Sequence, residues 1–195
     1  MTITYRANQH IKLPDRAQHP RGGCGLSSHG TYPRKRPPGT RIARWYCPKG
    51  HCTFSLLPDH LAARFPGTLA HIEEVVATVE QARSVEAAAD ALRADPVTLA
   101  AAVRWVQRRV APVRQLLIIV VGLLPQYLMG CVPTIAGLRE RLACEQVLQA
   151  LRPLVGAQLP VLAAPLGFGR RRAPRGERKR GRQQHMGRDP PVRRP

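Results

Sequence analysis

The chain has 195 residues and carries 31 Lys plus Arg against 12 Asp plus Glu, a formal net charge of +19 at pH 7. This length allows one ordinary domain or two small ones. The longest apolar stretch, Leu116 to Leu124, is far too short to cross a bilayer, which excludes an integral membrane protein. Residues 1–12 contain no apolar run of signal-peptide length, so we expect a cytoplasmic protein.

The basic residues are nearly all arginine, and they are unevenly distributed. Arginine has a planar fork of donors that suits phosphates and guanine edges, so the surplus favours a nucleic-acid partner, although a GC-rich genome also raises Arg content. Residues 1–64 hold eleven basic and two acidic residues, residues 65–168 nine and eight, and residues 169–195 eleven and two. A near-neutral middle between two basic ends predicts a folded body with cationic surfaces on either side.

Residues 19–58 are rich in Gly, Pro, Arg and Cys and contain too few large apolar side chains to fill a core. Aromatic and β-branched residues predict short strands at Arg41–Cys47 and from Cys52 to Leu56. Pro37-Pro38-Gly39 predicts a hairpin turn before the first of these strands. A region of this kind needs an additional cross-link, and a metal ion is the usual one.

Two stretches of this module share one layout: a potential ligand, a proline directly after it, glycine, and a cysteine five positions on. They are His19-Pro-Arg-Gly-Gly-Cys24 and Cys47-Pro-Lys-Gly-His-Cys52. Zinc prefers thiolate and imidazole ligands in a tetrahedron, so two such turns can enclose one structural zinc ion. The favoured ligand set is His19, Cys24, Cys47 and Cys52.

The spacing of these ligands leaves alternatives open, because four residues separate each pair where two are usual. His29 or His51 can take the place of His19 in the ligand set. Without a metal, Cys24 would be a lone buried thiol and the later two cysteines of the set an unmetallated pair. The remaining two cysteines lie on apolar helical segments and are predicted core residues: Cys131 and Cys144.

Helical periodicity begins after the cysteine-containing module. Thr68 and Ser84 are typical N-cap residues and predict two helices, the second running from Val85 to Arg93. Asp95-Pro96 predicts the start of a third helix, which is expected to end at Pro112. The predicted inner face of this third helix consists of Leu99, Val103, Val106 and Val110.

Three helices in this order, with a tight turn between the last two, predict a trihelical reader of duplex DNA. Acidic residues lie on the first two helices, whereas the third carries arginines outside its apolar stripe. Thr98 and Ala101 are expected to reach the floor of the major groove. Arg104 and Arg108 are expected to contact guanine or phosphate. The full predicted DNA-binding set is Thr98, Ala101, Arg104, Arg108, Arg109, Arg34, Lys35 and Arg36.

An ordinary helical bundle with a solvated basic face is the alternative interpretation of these three helices. Trp105 lies beside the predicted contact residues and has two possible roles, a wedge against the first helix or a contact to the partner. The packing role is the expected one, because a large aromatic side chain gains most from burial.

The sequence after the third helix is apolar and interrupted by prolines. Leu116–Met129 predicts a short buried helix that Pro125 breaks. Thr134 is predicted to cap a further helix that ends near Leu151, and the prolines after it are expected to stop regular structure. Residues 113–168 are expected to offer a surface for self-association or for a separate protein partner.

One stretch of the chain resembles the zinc-ribbon head of transposase-related proteins from bacterial insertion sequences. It reads Cys24-Gly … His29-Gly-Thr-Tyr32 … Arg44-Trp-Tyr-Cys47 … Cys52-Thr-Phe-Ser-Leu-Leu-Pro58. In that family a helix-turn-helix follows, often with Thr and Arg-Trp in the recognition helix, as at Thr98 and Arg104-Trp105 here. The resemblance implies recognition of transposon ends or other DNA, a structural zinc ion and a separate transposase partner. His19 departs from it, because a Cys is expected there.

These observations together predict a mainly α fold with a small β zinc-ribbon-like module at the N-terminus. The predicted segments are a flexible arm (1–18), the zinc-ribbon-like module (19–58), a helix-turn-helix (66–112), an apolar helical region (113–168) and a disordered Arg-rich tail (169–195). The tail has almost nothing to bury, so it is expected to add sequence-independent affinity for phosphates.

The expected function is binding of double-stranded DNA without catalysis. Two-metal phosphoryl chemistry needs several convergent carboxylates, and those after the third helix are Glu140, Glu145, Glu177 and Asp189, two on one helix and two in the tail. The alternatives are a basic zinc-ribbon protein that binds RNA and a truncated mobile-element product without activity. The expected location is the bacterial cytoplasm, in association with the nucleoid.

Overall fold

The computed structural model of the chain describes residues 2–5 and 25–169, without the side chains of the first four. Within these residues a four-stranded sheet precedes six α-helices and a short 3₁₀ turn at Gly156–Gln158. The strands are β1 (Thr2–Tyr5), β2 (Ser27–Pro33), β3 (Arg41–Cys47) and β4 (Cys52–Pro58). The helices are α1 (Leu69–Gln81), α2 (Val85–Leu92), α3 (Leu99–Leu123), α4 (Pro125–Leu128), α5 (Ile135–Leu142) and α6 (Val147–Leu154).

The strand order in the sheet is β1-β4-β3-β2. Strands β2, β3 and β4 pair in antiparallel fashion, and β1 runs parallel to β4. The two predicted strands are confirmed as β3 and β4, and the predicted hairpin turn joins β2 to β3. The predicted flexible arm contains strand β1, whose four residues are paired with β4 in the sheet. The other residues of the arm and residues 170–195 of the predicted tail lie outside the described residues.

The sheet contributes to two different apolar clusters, because successive side chains of a strand point to opposite faces. On one face lie Leu26, Ala43, Trp45, Cys47, Phe54 and Leu56. On the other face lie Ile42 and Leu57, which pack with Leu61 and Ala63. Phe168 packs against both this second cluster and the helical core. The second face therefore joins the sheet to the helices.

The first two helices begin where their capping residues predict. The hydroxyl of Thr68 accepts a hydrogen bond from the N–H of His71 at 3.2 Å, and α1 follows directly. The hydroxyl of Ser84 accepts one from the N–H of Ala87 at 3.1 Å at the start of α2. Each cap satisfies a backbone donor that the helix itself cannot use.

Helix α3 begins later than predicted. Thr98 is its N-cap, and the hydroxyl accepts a hydrogen bond from the N–H of Ala101 at 3.4 Å. Asp95-Pro96 instead lies in a turn. This turn is closed by a hydrogen bond of 2.9 Å from the N–H of Val97 to the carbonyl of Ala94. Six residues therefore connect α2 to α3, more than the three or four of a compact helix-turn-helix.

Helix α3 continues through Pro112 to Leu123, so the predicted helix end at this proline is wrong. A proline in a helix interior removes one hydrogen bond and costs roughly 3 kcal/mol. Each large aliphatic side chain that becomes buried contributes roughly 1.5–3 kcal/mol, so several of them outweigh the proline. The buried side chains after it on α3 are Val113, Leu116, Leu117 and Val120.

The inner face of α3 is also rotated relative to the prediction. Val106 and Val110 are buried as expected, but Leu99 is 41% exposed. Ala102 is buried in its place, opposite two buried alanines of α2. Small side chains on both helices allow a close approach, which a leucine at the contact would prevent.

The C-terminal helices are shorter than predicted. Thr134 caps α5 as expected, since its hydroxyl accepts the N–H of Gly137 at 3.0 Å. The helix ends where Ala143 adopts a left-handed conformation with φ of 48°, and α6 begins four residues later, so one long predicted helix is two. Pro153, expected to stop regular structure, lies in the last turn of α6.

The short buried helix predicted at Leu116–Met129 is wrong as well. Its first eight residues belong to α3, and Pro125 begins α4 at the position where a helix tolerates proline. Ile118 and Ile119 are exposed to solvent. In the sequence these residues form a continuous apolar run, and only the packing decides which of them face outward.

One apolar core joins all six helices. It extends along the chain from Ala62 to Leu166, so the helices at 66–112 and the apolar region at 113–168 form one body. Cys131 and Cys144, predicted as core residues, are partly buried against it. Burial is the main cause that raises the pKa of the Cys144 thiol.

Two glutamates of α1 bind the starts of the C-terminal helices. Glu80 accepts hydrogen bonds from the N–H groups of Ile135 at 2.9 Å and Ala136 at 3.2 Å. Glu73, which is buried, accepts one from the N–H of Leu148 at 2.9 Å and pairs with an arginine of α5. A carboxylate at a helix N-terminus satisfies unpaired backbone donors and complements the helix dipole.

Arg152 is the largest fully buried side chain of the described residues. Its guanidinium donates hydrogen bonds to backbone carbonyls of two segments that are distant along the chain: Pro58, Asp59, Leu61, Pro165 and Leu166. Burial lowers the pKa of Arg152 to about 10. The side chain thus ties the connection between β4 and α1 to the segment that follows α6.

Candidate functional site

The solvent face of α3 carries basic and polar side chains. Arg104, Gln107 and Arg108 are exposed, and Arg114 is exposed further along the helix. Positions three and four apart share a helix face, so the first three form one patch. None of the three arginines makes an ion pair or hydrogen bond with another described residue. Their charges are therefore available to an anionic partner.

Gln107 was not among the predicted contact residues. Beyond the first turn of the helix the prediction selected only charged residues, and an amide carries no charge. Its position three residues after Arg104 is the signal in the sequence that could have found it. A glutamine amide can pair with the edge of adenine in the major groove, so this residue belongs to the candidate surface.

Two of the predicted contact residues have local roles at the start of α3. Thr98 is exposed, but its hydroxyl caps the helix. Ala101 is half-buried and lines a cavity of about 330 Å³ between α2 and α3, whose wall also includes Trp105. Arg93 is the single charged residue in this lining. The solvent face of α3 therefore passes through Ala100 rather than Ala101.

Arg109, predicted to contact DNA, is buried in a packing role instead. Its guanidinium carbon lies 3.8 Å from the ring centroid of Trp105 and 6.0 Å from that of Phe65. One of its nitrogens donates to the carbonyl of Trp105 at 3.3 Å. Burial lowers the pKa of Arg109, and the charge of Arg36 lowers it further. Trp105 also lies 6.2 Å, between ring centroids, from His71 on α1, which agrees with its predicted packing role.

Arg34 also has a structural position. Its guanidinium donates hydrogen bonds at 2.6 Å to the carbonyls of Ala62 and Phe65, and burial lowers its pKa. The contact holds the loop between β2 and β3 against the segment that leads into α1. Lys35 and Arg36 on the same loop are exposed, as predicted for contact residues. Arg34 binds the carbonyl of Phe65, and the Phe65 ring lies 6.0 Å from the guanidinium of Arg109, so this loop lies near α3.

The two thiols of the predicted knuckle lie close together. Cys47 and Cys52 are directly opposite each other at the end of the β3–β4 pair. A Cβ on Gly50 would lie 3.4 Å from one sulfur and 3.3 Å from the other, so both sulfurs point into the same small space. The N–H of Gly50 donates to Sγ of Cys47 at 3.2 Å. This arrangement fits half of a tetrahedral zinc site.

The other candidate ligands are separate from this pair or lie outside the described residues. The candidates that lie outside the described residues are His19 and Cys24. His51 has its Nδ1 3.1 Å from the hydroxyl of Tyr46, and the His29 ring lies 5.9 Å from the Tyr46 ring between centroids. Tyr46 points to the face of β3 opposite the two sulfurs, since side chains alternate. Among residues 25–169, no three His, Cys, Asp or Glu side chains converge on a possible metal position.

Across the described ranges, none of the helices combines the length and the apolar composition that crossing a bilayer requires. Models of known protein families, curated protein sequences and solved structures were each compared with the chain, and none of the three comparisons gave a match.

Proposed function

We propose that this chain binds double-stranded DNA and has no catalytic activity of its own. The observation that carries the proposal is the exposed patch on α3, where Arg104 and Arg108 have no ion-pair partner among the described residues and lie beside Gln107. Arginine recognises phosphates and guanine edges, and glutamine recognises adenine. A net charge of +19 adds long-range attraction to a polyanion.

The dimensions of α3 support a place in the major groove. An α-helix with its side chains is roughly 10–12 Å across, and the major groove is about 12 Å wide. Arg104 and Arg108 lie about 6 Å apart along the helix axis, close to two base steps of about 3.4 Å each. Helices α1 and α2 pack on the buried side of α3, so they would support it as the first two helices of a helix-turn-helix do.

Lys35 and Arg36 form a second basic element in this proposal. Arg34 anchors their loop to the segment before α1, so the two exposed side chains start from a fixed backbone. Residues in this position beside a recognition helix contact the phosphates and set the orientation of the protein on the duplex. Their contribution would be the same for all DNA sequences.

We include a structural zinc ion in the proposal. Cys47 and Cys52 would supply two ligands, and His19 and Cys24 are the proposed others. Leu26 packs in the same cluster as Cys47 and Cys52, so the chain passes close to these two cysteines only two residues after Cys24. Zinc at this position would cross-link the turn after β3 to the segment before β2 and stabilise a module with a small core.

The proposed setting is the bacterial cytoplasm, in association with the nucleoid. The support is the resemblance of the stretch from Cys24 to Pro58 to the head of insertion-sequence proteins. In this setting the chain would bind transposon ends or other DNA, and a separate transposase would supply the chemistry. The basic residues at 170–195 would add affinity for phosphates.

The proposal is tested by measuring how tightly the chain binds labelled duplexes from a random pool at several salt concentrations. Changing both Arg104→Ala and Arg108→Ala should weaken binding and reduce the slope of log K against log salt by about 2, because each phosphate contact contributes about 0.9. Fluorescence anisotropy at several salt concentrations measures both quantities.

The matched control is Arg83→Ala, which removes a charge from an exposed arginine at the turn between α1 and α2. It should leave affinity nearly unchanged. The proposal fails if the double variant binds duplex DNA as the unmodified chain does. It also fails if structured RNA displaces the duplex efficiently at equal salt.

A further inference from the structure

The exposed large apolar side chains are concentrated in one segment. Among residues 25–169, six of the eleven such side chains lie within residues 118–132. We name these six the uncharged face: Ile118, Ile119, Leu123, Tyr127, Met129 and Val132. Met129 is 78% exposed and Ile118 60% exposed, whereas Ile119 and Leu123, at 42% and 40%, are partly buried beside them. A monomer rarely exposes such a run without a partner for it.

The composition around this face indicates what covers it. No Asp, Glu, Lys, Arg or His occurs between Gln115 and Leu138, although the chain as a whole carries +19. Two copies of so basic a protein repel each other over most of their surfaces. The uncharged face is where two copies can approach without placing like charges against each other. Arg114 and Arg141 lie at its ends, as charged residues do at the rim of an interface.

The rest of this chain does not supply a suitable cover. Residues 170–195 contain only Ala173, Met186 and Val192 as apolar residues apart from proline, among eleven basic ones. Residues 6–24 contain four scattered aliphatic residues and no aromatic one. Neither segment has enough apolar surface to match six large side chains. A second copy of the chain presents the same six.

The end of α3 allows a close approach by such a copy. Ile118, Ile119 and Leu123 lie on its last two turns, and Gly122 lies among them. A Cβ at Gly122 would have open space around it, and because glycine has no side chain the helix backbone is accessible at this point. A second helix can therefore pack close to the backbone there, with isoleucines on either side.

We propose that the chain forms a two-fold symmetric dimer through the uncharged face, with the last turns of α3 packed against their counterparts. In such an interface the same residues of both copies meet, which a patch without charges satisfies. The proposal does not depend on DNA binding, and its test uses no DNA. Its failure and that of the proposed function are therefore distinguishable.

Sedimentation velocity of the full chain over a wide range of concentrations tests this dimer. Moderate salt should be present, so that repulsion between the basic surfaces is screened. The unmodified chain should shift from monomer to dimer as its concentration rises. Changing both Ile118→Lys and Ile119→Lys should raise the dissociation constant about a hundredfold or more, because charges without partners would be buried in the interface.

The matched control is Val161→Lys, which places the same charge on a side chain that is 81% exposed and outside the uncharged face. It should dimerise as the unmodified chain does. Circular dichroism should show both variants folded, since the altered side chains are exposed. A monomer at all concentrations overturns the proposal, and so does equal weakening by the control. Co-sedimentation of a monomer with lipid vesicles, lost in the Ile118→Lys, Ile119→Lys variant, overturns it too, because a membrane would then be the partner.

Discussion

Five of the described arginines occupy three kinds of environment. Arg104 and Arg108 are exposed, Arg109 stacks on an aromatic ring, and Arg34 and Arg152 donate to backbone carbonyls. The sequence around each arginine does not show which environment it occupies. Arg34 and Arg152, for example, bind carbonyls that are distant along the chain. Charge alone therefore overestimates the number of arginines that can contact a nucleic acid. The structure leaves Arg104 and Arg108 as the strongest candidates on α3.

At the residue scale, Arg152→Met should lower the free energy of unfolding by about 3 kcal/mol. The apolar side chain fills most of the volume, but it leaves several buried carbonyls without a donor, and each such loss costs roughly 1–3 kcal/mol. The relief from burying a charge offsets part of this cost. Urea denaturation followed by circular dichroism measures the difference.

Arg83→Met is the control for this prediction, because Arg83 is exposed and makes no ion pair with another described residue. Its effect should stay within about 0.5 kcal/mol. A change of similar size in both variants would mean that the hydrogen bonds of Arg152 to the carbonyls do not stabilise the fold.

At the scale of elements, α3 has a different composition in its two halves. The half before Pro112 carries the exposed Arg104 and Arg108, and the half after it carries Arg114 and then three residues of the uncharged face, Ile118, Ile119 and Leu123. A single helix holds both halves because its buried side chains belong to one core. The helix therefore couples the candidate DNA surface rigidly to the proposed dimer interface.

Pro112→Ala should stabilise the protein by about 1–2 kcal/mol. Alanine restores the N–H that can bond to the carbonyl of Arg108, and it removes the clash of the proline ring. Part of the gain is lost because proline restricts the unfolded chain. Thermal unfolding should show a higher midpoint for this variant.

The comparison for this prediction is Pro125→Ala at the first position of α4. Proline is favourable there, since no helical hydrogen bond is lost, so this change should give no gain. If Pro112→Ala left the midpoint unchanged or lowered it, α3 would not be continuous through this position in solution.

At the scale of the whole molecule, the described residues contain a helical core and a small cluster on the outer face of the sheet. The outer cluster includes Trp45 and both cysteines of the knuckle, whereas the helical core contains none of them. The second face of the sheet, through Phe168, connects the sheet to the helices. The two clusters should therefore respond separately to loss of a metal.

Removal of zinc by a chelator should change the fluorescence of Trp45 and leave the helical circular dichroism signal nearly unchanged. The metal would be bound beside Trp45, and the helical core has its own packing. A Trp105→Phe background isolates the signal of Trp45. The purified protein should contain about one equivalent of zinc.

Cys47→Ser with Cys52→Ser should abolish the zinc content, and Cys131→Ser should preserve it. Cys131 packs against the helical core, so it serves as the control for the loss of a thiol. Full zinc content in the double variant, or none in the unmodified chain, contradicts the proposed site.

Local sequence signals were sufficient for several elements. Strands β3 and β4 follow from aromatic and β-branched residues, and α1, α2 and α5 start at the capping residues Thr68, Ser84 and Thr134. These features depend on neighbours within about four positions, since a cap bonds to the backbone of the next turn. The charge distribution likewise required no knowledge of the fold.

The tertiary structure decided what depends on contacts between distant residues. It carried α3 through Pro112, turned Arg109 and Arg34 inward, and joined residues 113–168 to the same core as the first three helices. For Pro112, Arg34 and residues 113–168, contacts with a remote partner outweigh a local preference of a few kcal/mol, and that partner cannot be inferred from nearby residues. Arg109 differs, because it stacks on Trp105, four positions before it, and only the packing of that ring makes the position an inward one. The sequence by itself determined where most elements begin and that the chain is strongly basic. Only the packing determined which arginines and which apolar side chains remain exposed to solvent.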